Sequence, residues 1–407
     1  MFSFFKKLLT ILFSNGFYQI VNFFSLPFLT KVYESSSFGS FYFYMSISSV
    51  IYVFFNFKAD WCIPKTKDEE LERFLSLVLV RSFLVFSILI GFSCWLGEKY
   101  FFTVTLALLF TLDETFFIYN NRRNLYTLSA VLQMTQCSLF ILIALFVCKN
   151  LENGLIISYI LSYSITTIYN ISKLTLSGFK RIGLKNIFKC TKRQTSVMLG
   201  CFLQKIRLHM PSIFIPFCFD MFFAGIWGIL TRLINGPTAV LANKVSDVVF
   251  QEFGTCIREK QSTQKLFKKV FYVIFITSLF IFLTVSFCGD LFCDLFFPEK
   301  WEVNPSYLRC LLFGAWSYFL YSCFKQILIL YNRTKYYLYW HLLFALTTSL
   351  VFLLQYFWNY SFQTFLNLIS YTQALFCLWN LYVIKKVVYS QIEEPDDGVI
   401  PINKKHC

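Results

Sequence analysis

CFLQKIRLHMPSIFIPFCFDMFFAGIWGILTRLINGPTAVLANKVSDVVF, residues 201–250, contains two apolar runs separated by Asp220. Each run approaches the roughly 20 residues an α-helix needs to cross a bilayer. Both carry cations in their interiors: Lys205, Arg207 and His209 in the first, Arg232 in the second. An ionisable group at bilayer depth costs roughly 3 kcal/mol on insertion scales, so such groups usually face a water-filled cavity or a bound anion.

The rest of the chain has the same character. Of its 407 residues, 57% are hydrophobic and only 14% charged, against roughly 25% charged in a soluble domain. No stretch is long enough to be a separate soluble domain. The net charge of +15 would suggest nucleic acid in a soluble protein, but here it is read as loop charge that fixes orientation. The 14 Cys include no CxxC and no Cys/His cluster, and most lie in apolar runs. They behave as small hydrophobes, and neither a disulfide framework nor a metal site is expected. No cofactor is indicated beyond a possible ion gradient. The start, MFSFFKKLLTILFSNGF, lacks a small-residue cleavage site and is read as part of the first span.

Twelve spans are expected, at 9–29, 38–56, 74–96, 100–119, 127–148, 154–176, 196–217, 221–242, 269–289, 306–330, 337–357 and 363–384. Of the 37 Lys and Arg, 26 then fall on the side of the N-terminus, with Lys269 at its span edge counted there, four on the other side and seven inside spans. The positive-inside rule makes the basic side cytoplasmic, with both termini inside. The longest outward loop, about 290–305, is acidic and carries Trp301, expected at the membrane interface.

Three echoes divide the chain. Gly39 and then Lys58 and Asp60 in the first half match Gly225 and then Lys244 and Asp247 in the second. Asn121 and Arg122 after the fourth span match Asn332 and Arg333 after the tenth. The expected fold is therefore an all-α polytopic membrane protein of about twelve transmembrane helices, in two six-helix repeats around a central cavity. The expected units are an N-terminal bundle (1–176), a basic cytoplasmic linker (177–195), a C-terminal bundle (196–385) and a disordered tail (386–407).

The cations inside spans are candidate anion ligands. Gly225, Gly228, Arg232 and Asn235 share one helix face, with glycines that allow close approach and a proline, Pro237, expected to kink the helix. Lys205 and Arg207 are about 200° apart around a helix, so one should line the cavity and the other pair elsewhere. Gln204 and His209 flank them. Arg81 either snorkels or faces the interior, and Lys325 and Arg309 lie near span ends. Asp113 and Glu114, low in span four, either carry coupling protons or pair with Arg122 or Arg123. Cations outnumber carboxylates at depth, which favours an anionic, phosphorylated substrate.

Two stretches resemble a family. NGFYQIVNFFSLPFLTKVYESSSFGSFYFY (15–44) and AGIWGILTRLINGPTAVLANKVSDVVFQEF (224–253) are similar to spans of bacterial O-antigen and polysaccharide flippases, within the superfamily that holds exporters of the MATE type. The resemblance implies alternating access and a non-enzymatic role in the bacterial inner membrane. The implied substrate is an undecaprenyl-pyrophosphate-linked oligosaccharide, with membrane lipid, a glycan polymerase and a chain-length protein as partners, no nucleic acid, and a monomeric transporter. A MATE-like small-molecule antiporter is the alternative. A membrane glycan polymerase or ligase fits less well, because it would need a sizeable outward loop.

Overall fold

The computed structural model describes residues 20–66, 68–173, 195–259, 261–301, 303–331 and 334–390. No β-strand occurs among them. An apolar chain in lipid must satisfy its own backbone, and helices do so within one segment. The helices are α1 (Ile20–Val32), α2 (Ser35–Ile51), α3 (Leu71–Leu96), α4 (Glu98–Arg122), α5 (Tyr126–Leu142, extended by a π turn to Val147) and α6 (Gly154–Ser172). After residue 194 come α7 (Thr195–Cys218), α8 (Met221–Arg258), α9 (Thr263–Phe287), a short α10 (Gly289–Phe296), α11 (Ser306–Phe324), α12 (Thr334–Trp358) and α13 (Phe362–Ser390).

A helix stands at each of the twelve expected spans, the first described only from Ile20. Among the described residues, six helices are long and apolar enough to cross a membrane by composition alone: Ser35–Phe54, Asp68–Gly91, Tyr100–Arg122, Tyr126–Val147, Gly154–Ser172 and Thr263–Phe287. The helices α7 and α8 carry the interior cations, which lowers their hydropathy.

The boundaries differ from expectation in four places. Helix α8 runs unbroken through Pro237 for 38 residues, about 57 Å at 1.5 Å per residue. It therefore extends well past a bilayer core, and most of the expected 243–268 loop is helix. The start of the expected tail, 386–390, completes α13. The expected outward loop is folded: α10 and the turn Glu299–Trp301 pack inward, and Trp301 is 2% exposed, so it is a core residue and no interfacial anchor. The connection after α2 is wound into a 3-10 helix, Ala59–Lys65. The linker 177–194, the tail 391–407 and the first span before residue 20 lie outside the described residues.

Two contacts organise the centre. The first is the crossing of α2 and α8. A Cβ on Gly39 would lie 1.9 Å from the Met221 carbonyl oxygen, and a Cβ on Gly225 would lie 2.0 Å from the Ser35 carbonyl oxygen. Each glycine meets the carbonyl four residues before the other. That reciprocity is what a two-fold relation between the echoing segments requires, and it explains why both positions are glycine. The Ser35 hydroxyl adds a bond to the Phe222 carbonyl at 2.7 Å. Asp220 caps α8 by accepting from the Phe223 amide at 2.9 Å, satisfying an otherwise orphaned donor.

The second contact seals one end. The Thr30 hydroxyl donates to the Phe296 carbonyl at 2.9 Å, and Lys300 Nζ to the Lys31 carbonyl at 3.3 Å. Phe23 meets Phe296 edge-on at 4.8 Å, and Phe38 meets Trp301 at 5.5 Å. Helices α1 and α2 are thereby closed against the segment 292–301 at the end opposite the basic connections.

Candidate functional site: a cationic central cavity

Between α1, α2 and α6 on one side and α7, α8, α11, α12 and α13 on the other lies a cavity of about 510 Å³. Its wall holds Arg207, Arg232 and His209 but no Asp or Glu among the described residues. The polar remainder is neutral, including Asn22, Ser46, Asn235 and Gln373. The aromatic wall includes Tyr42, Tyr159, Trp227, Tyr318 and Phe344.

The two guanidinium groups are held differently. Arg232, on α8, donates to the Asn22 side-chain oxygen, so it reaches across to α1. Arg207, on α7, points the other way. Its guanidinium carbon lies 5.2 Å from the centroids of Trp340 and Phe344 and 5.7 Å from that of Tyr318. It is 6% exposed, and its Nε has no hydrogen-bond partner. Ring faces stabilise a cation through their quadrupole, but they do not satisfy guanidinium N–H groups, which require acceptors. An anion entering the cavity would supply them. His209 Nδ1 lies 3.3 Å from the Ser46 hydroxyl, joining α7 to α2 within the cavity wall.

The other sequence candidates lie elsewhere. Lys205, two residues before Arg207, does not line the cavity; its ammonium sits 5.2 Å from the Tyr52 ring centroid. Gln204 is also outside the wall. Gly225 is consumed by the α2 crossing, while Gly228 both lines the cavity and meets the Tyr42 ring. Arg81 is 3% exposed and stacks on Phe57 at 4.3 Å, away from the cavity. Arg309 makes a two-pronged pair with Asp290 of α10, both contacts at 2.8 Å. Lys325 follows the last turn of α11, with its amide bonded to the Tyr321 carbonyl at 3.0 Å, and does not line the cavity. These placements remove Lys205, Gln204, Gly225, Arg81, Arg309 and Lys325 from the cavity wall.

The carboxylates of α4 are also outside it. Glu114 pairs with Lys58 at 2.5 Å and accepts from Trp61 Nε1 at 3.4 Å. Its expected partners are engaged elsewhere, Arg122 with Asp68 at 2.8 Å and Arg123 with Glu72 at 3.0 Å. Asp113 is partly buried beside it. Sequence reasoning misses two residues that matter: Asn22, the partner of Arg232, and Lys58, 2% exposed in what reads as a basic loop. Lys58 does stand in the KADW echo. A lone Asn in an apolar span is the only sequence signal for Asn22.

No protein-family model matches the sequence, and no curated relative does. Solved structures do match the fold. An inward-facing multidrug resistance MATE family transporter of the MOP superfamily aligns at TM-score 0.65 and 12% identity, over 93% of this chain and 96% of that one. An outward-facing form of a transporter so described aligns at TM-score 0.55 and 12% identity, over 95% of each chain. A MOP superfamily transporter from Pyrococcus furiosus, described as having a binding pocket of reverse polarity that suggests a different function, aligns at TM-score 0.53 and 12% identity, over 95% of each. The chain has a MATE-like transporter fold.

Proposed function

We propose that this chain is a flippase for an undecaprenyl-pyrophosphate-linked oligosaccharide, the repeat unit of an O-antigen or capsule. It moves the head group from the cytoplasmic to the periplasmic leaflet of a bacterial inner membrane by alternating access. The observation that carries this reading is the polarity of the cavity: two guanidinium groups and no carboxylate among its described lining residues. Arginine is well matched to phosphate oxygens, which accept in pairs from its fork. An organic cation would meet like charge there. The P. furiosus neighbour is a precedent for linking pocket polarity to function within this fold. The aromatic wall offers flat apolar faces beside the charge, and the lipid tail stays in the bilayer.

The excess of Lys and Arg in one set of connections supports a cytoplasmic location for both termini. The segment 292–301 then closes the periplasmic end, in keeping with the higher similarity to the inward-facing neighbour. No bond is made or broken in this reading, so the chain is not an enzyme. It works as a monomer, beside a polymerase and a chain-length protein that consume its product.

The test is Arg232→Ala at matched expression in a strain lacking the native protein. The expected result is loss of surface glycan with accumulation of the lipid-linked precursor. Wild-type surface glycan would refute the role given to Arg232. A MATE-like antiporter shares the fold, and whole-cell drug susceptibility separates it, since a glycan flippase leaves resistance unchanged.

A further inference from the structure

The connection between α2 and α3 holds a second charged cluster that the cavity does not use. Phe57 and Lys58 both adopt left-handed backbone, φ 51° and 60°, a conformation that side-chain-bearing residues rarely take. This turn folds the Lys58 side chain inward, where Nζ bonds the Tyr52 hydroxyl at 3.1 Å as well as Glu114. The amide of Lys58 is fixed by Asn56 Oδ1 at 2.9 Å. Two residues on, Asp60 is 0% exposed, and no side chain donates to either carboxylate oxygen; only the backbone amides of Asp60 and Trp61 approach it.

A buried carboxylate held by backbone amides alone is costly when ionised. It needs a metal ion, a charged donor or a proton. No group of three or more His, Cys, Asp or Glu among the described residues could hold a metal. The one ammonium inside the cluster, Lys58, is already bonded to Glu114 and Tyr52. A proton is the ligand that remains.

We infer that Asp60, with Lys58 and Glu114, forms a proton-exchange site whose state sets how firmly α7 is held against the first half of the chain. Protonation forms one O–H bond on Asp60 and removes one negative charge; nothing else changes covalently. Glu114, with its side chain 29% exposed, gives the cluster its contact with water.

The charges around Asp60 decide what that does. With Asp60 protonated, Lys58 and Glu114 neutralise each other. With Asp60 ionised, the cluster carries an extra negative charge facing Lys205 of α7, whose ammonium lies over the Tyr52 ring that Lys58 also touches. Cys201 of α7 and Asp113 of α4 sit in the same field. From α3, Arg81 closes the far side by stacking on Phe57. Deprotonation thus draws α7 toward α2 and α4, and protonation relaxes it. Arg207 and His209 lie on the same helix, two and four residues beyond Lys205, so the cavity feels the change. The titration is positioned to matter: burial, and then the neighbouring Glu114, push the Asp60 carboxyl up to about 7.

Trp61 supplies the probe, since its ring lies 5.9 Å from Lys58 Nζ and its Nε1 faces Glu114. Full-length protein in detergent is titrated from pH 5 to 9, and the fluorescence of Trp61→Phe is subtracted from that of wild type. One transition near pH 7 is expected. It should vanish in Asp60→Asn, and in Glu114→Gln it should move to lower pH, because the repelling carboxylate is gone and Lys58 is freed for Asp60. Glu114→Gln decides the matter should Asp60→Asn not elute as folded protein. A transition that persists in Asp60→Asn, fails to move in Glu114→Gln, or is absent in wild type overturns the site. The consequence for transport rests on the flippase reading, but the titration does not. Surface glycan retained in Arg232→Ala alongside a normal titration would sink that reading and leave this site standing.

Discussion

Replacing Gly225 by alanine places a methyl carbon 2.0 Å from the Ser35 carbonyl oxygen. Ordinary contact begins at 3.4 Å, so the helices must part by about 1.4 Å or bend around the methyl. The obstacle is backbone, which cannot rotate aside. Overpacking of this kind costs about 1–3 kcal/mol. Parting α2 from α8 also stretches the Ser35–Phe222 hydrogen bond, worth about 1 kcal/mol. Alanine returns up to about 1 kcal/mol in helix propensity. The net loss is about 2 kcal/mol, or a drop of about 4 °C in the apparent melting midpoint at about 2 °C per kcal/mol for a large chain. Gly39→Ala should behave alike, since its methyl would lie 1.9 Å from the Met221 carbonyl oxygen. The double variant should cost well under twice either single change, because one separation accommodates both methyls. A methyl carbon on Gly254 would meet nothing within 4 Å, so Gly254→Ala is the control and should gain about 0.5–1 kcal/mol. The assay is a thermal melt of detergent-purified protein read by size-exclusion fluorescence at one fixed heating time. A Gly225→Ala midpoint within about 1 °C of wild type, or strict additivity with Gly39→Ala, would refute the reciprocal crossing.

Two further outcomes follow from the seal and from the ion pairs. Trp301→Ala removes a side chain 2% exposed against Phe38 and Phe297, a loss of about 3–5 kcal/mol of packing; it should loosen the closed end and speed maleimide labelling of Cys293, which is 4% exposed, and unchanged labelling would contradict the closure. Lys58→Met should destabilise by about 3 kcal/mol, the low end for a broken buried pair because Glu114 keeps some water contact, whereas Asp290→Asn, in a pair 42% and 62% exposed, should cost about 0–1 kcal/mol. Equal melting shifts for the two variants would contradict the contrast in burial.

The span pattern is legible in the sequence because a bilayer imposes it. Twenty apolar residues and a lopsided count of Lys and Arg are properties of the sequence itself, and each expected span meets a helix among the described residues. Legibility fails where packing overrides composition. The segment 290–305 reads as a loop because acidic residues, Pro298 and Pro305 break its apolar run, yet Phe296 packs on Phe23 of α1 and Trp301 on Phe38 of α2, and the segment winds into α10 and a 3-10 turn. The span that reads as ending near residue 242 continues past Pro237 for 21 more residues to Arg258. The glycines on the Arg232 face read as allowing close approach. At Gly225 the room is taken by another helix, and the echo with Gly39 holds the clue, since two matched glycines in matched segments can serve each other.

The cations show why a site is harder to read than a fold. Seven Lys and Arg fall inside expected spans, and sequence treats them as one class. The structure sorts them by partner, and the partners come from distant segments: Asp290 for Arg309, the Phe57 ring for Arg81, the Tyr52 ring for Lys205. Each of these holds a cation away from the cavity, at a distance no periodicity encodes. Arg232 and Arg207 differ because they line the cavity, where the Asn22 amide orients one and three ring faces hold the other. A neutral partner orients a guanidinium without cancelling its charge, so the field in the cavity stays positive. That is the property an anion carrier needs, because a carboxylate in Asn22's place would compete with the substrate for the same donors. Asn22→Asp therefore bears on the reading directly. It should bind Arg232 more tightly, stabilise the resting protein and abolish glycan export, whereas export at the wild-type level would show that the charge of Arg232 is not what moves the substrate.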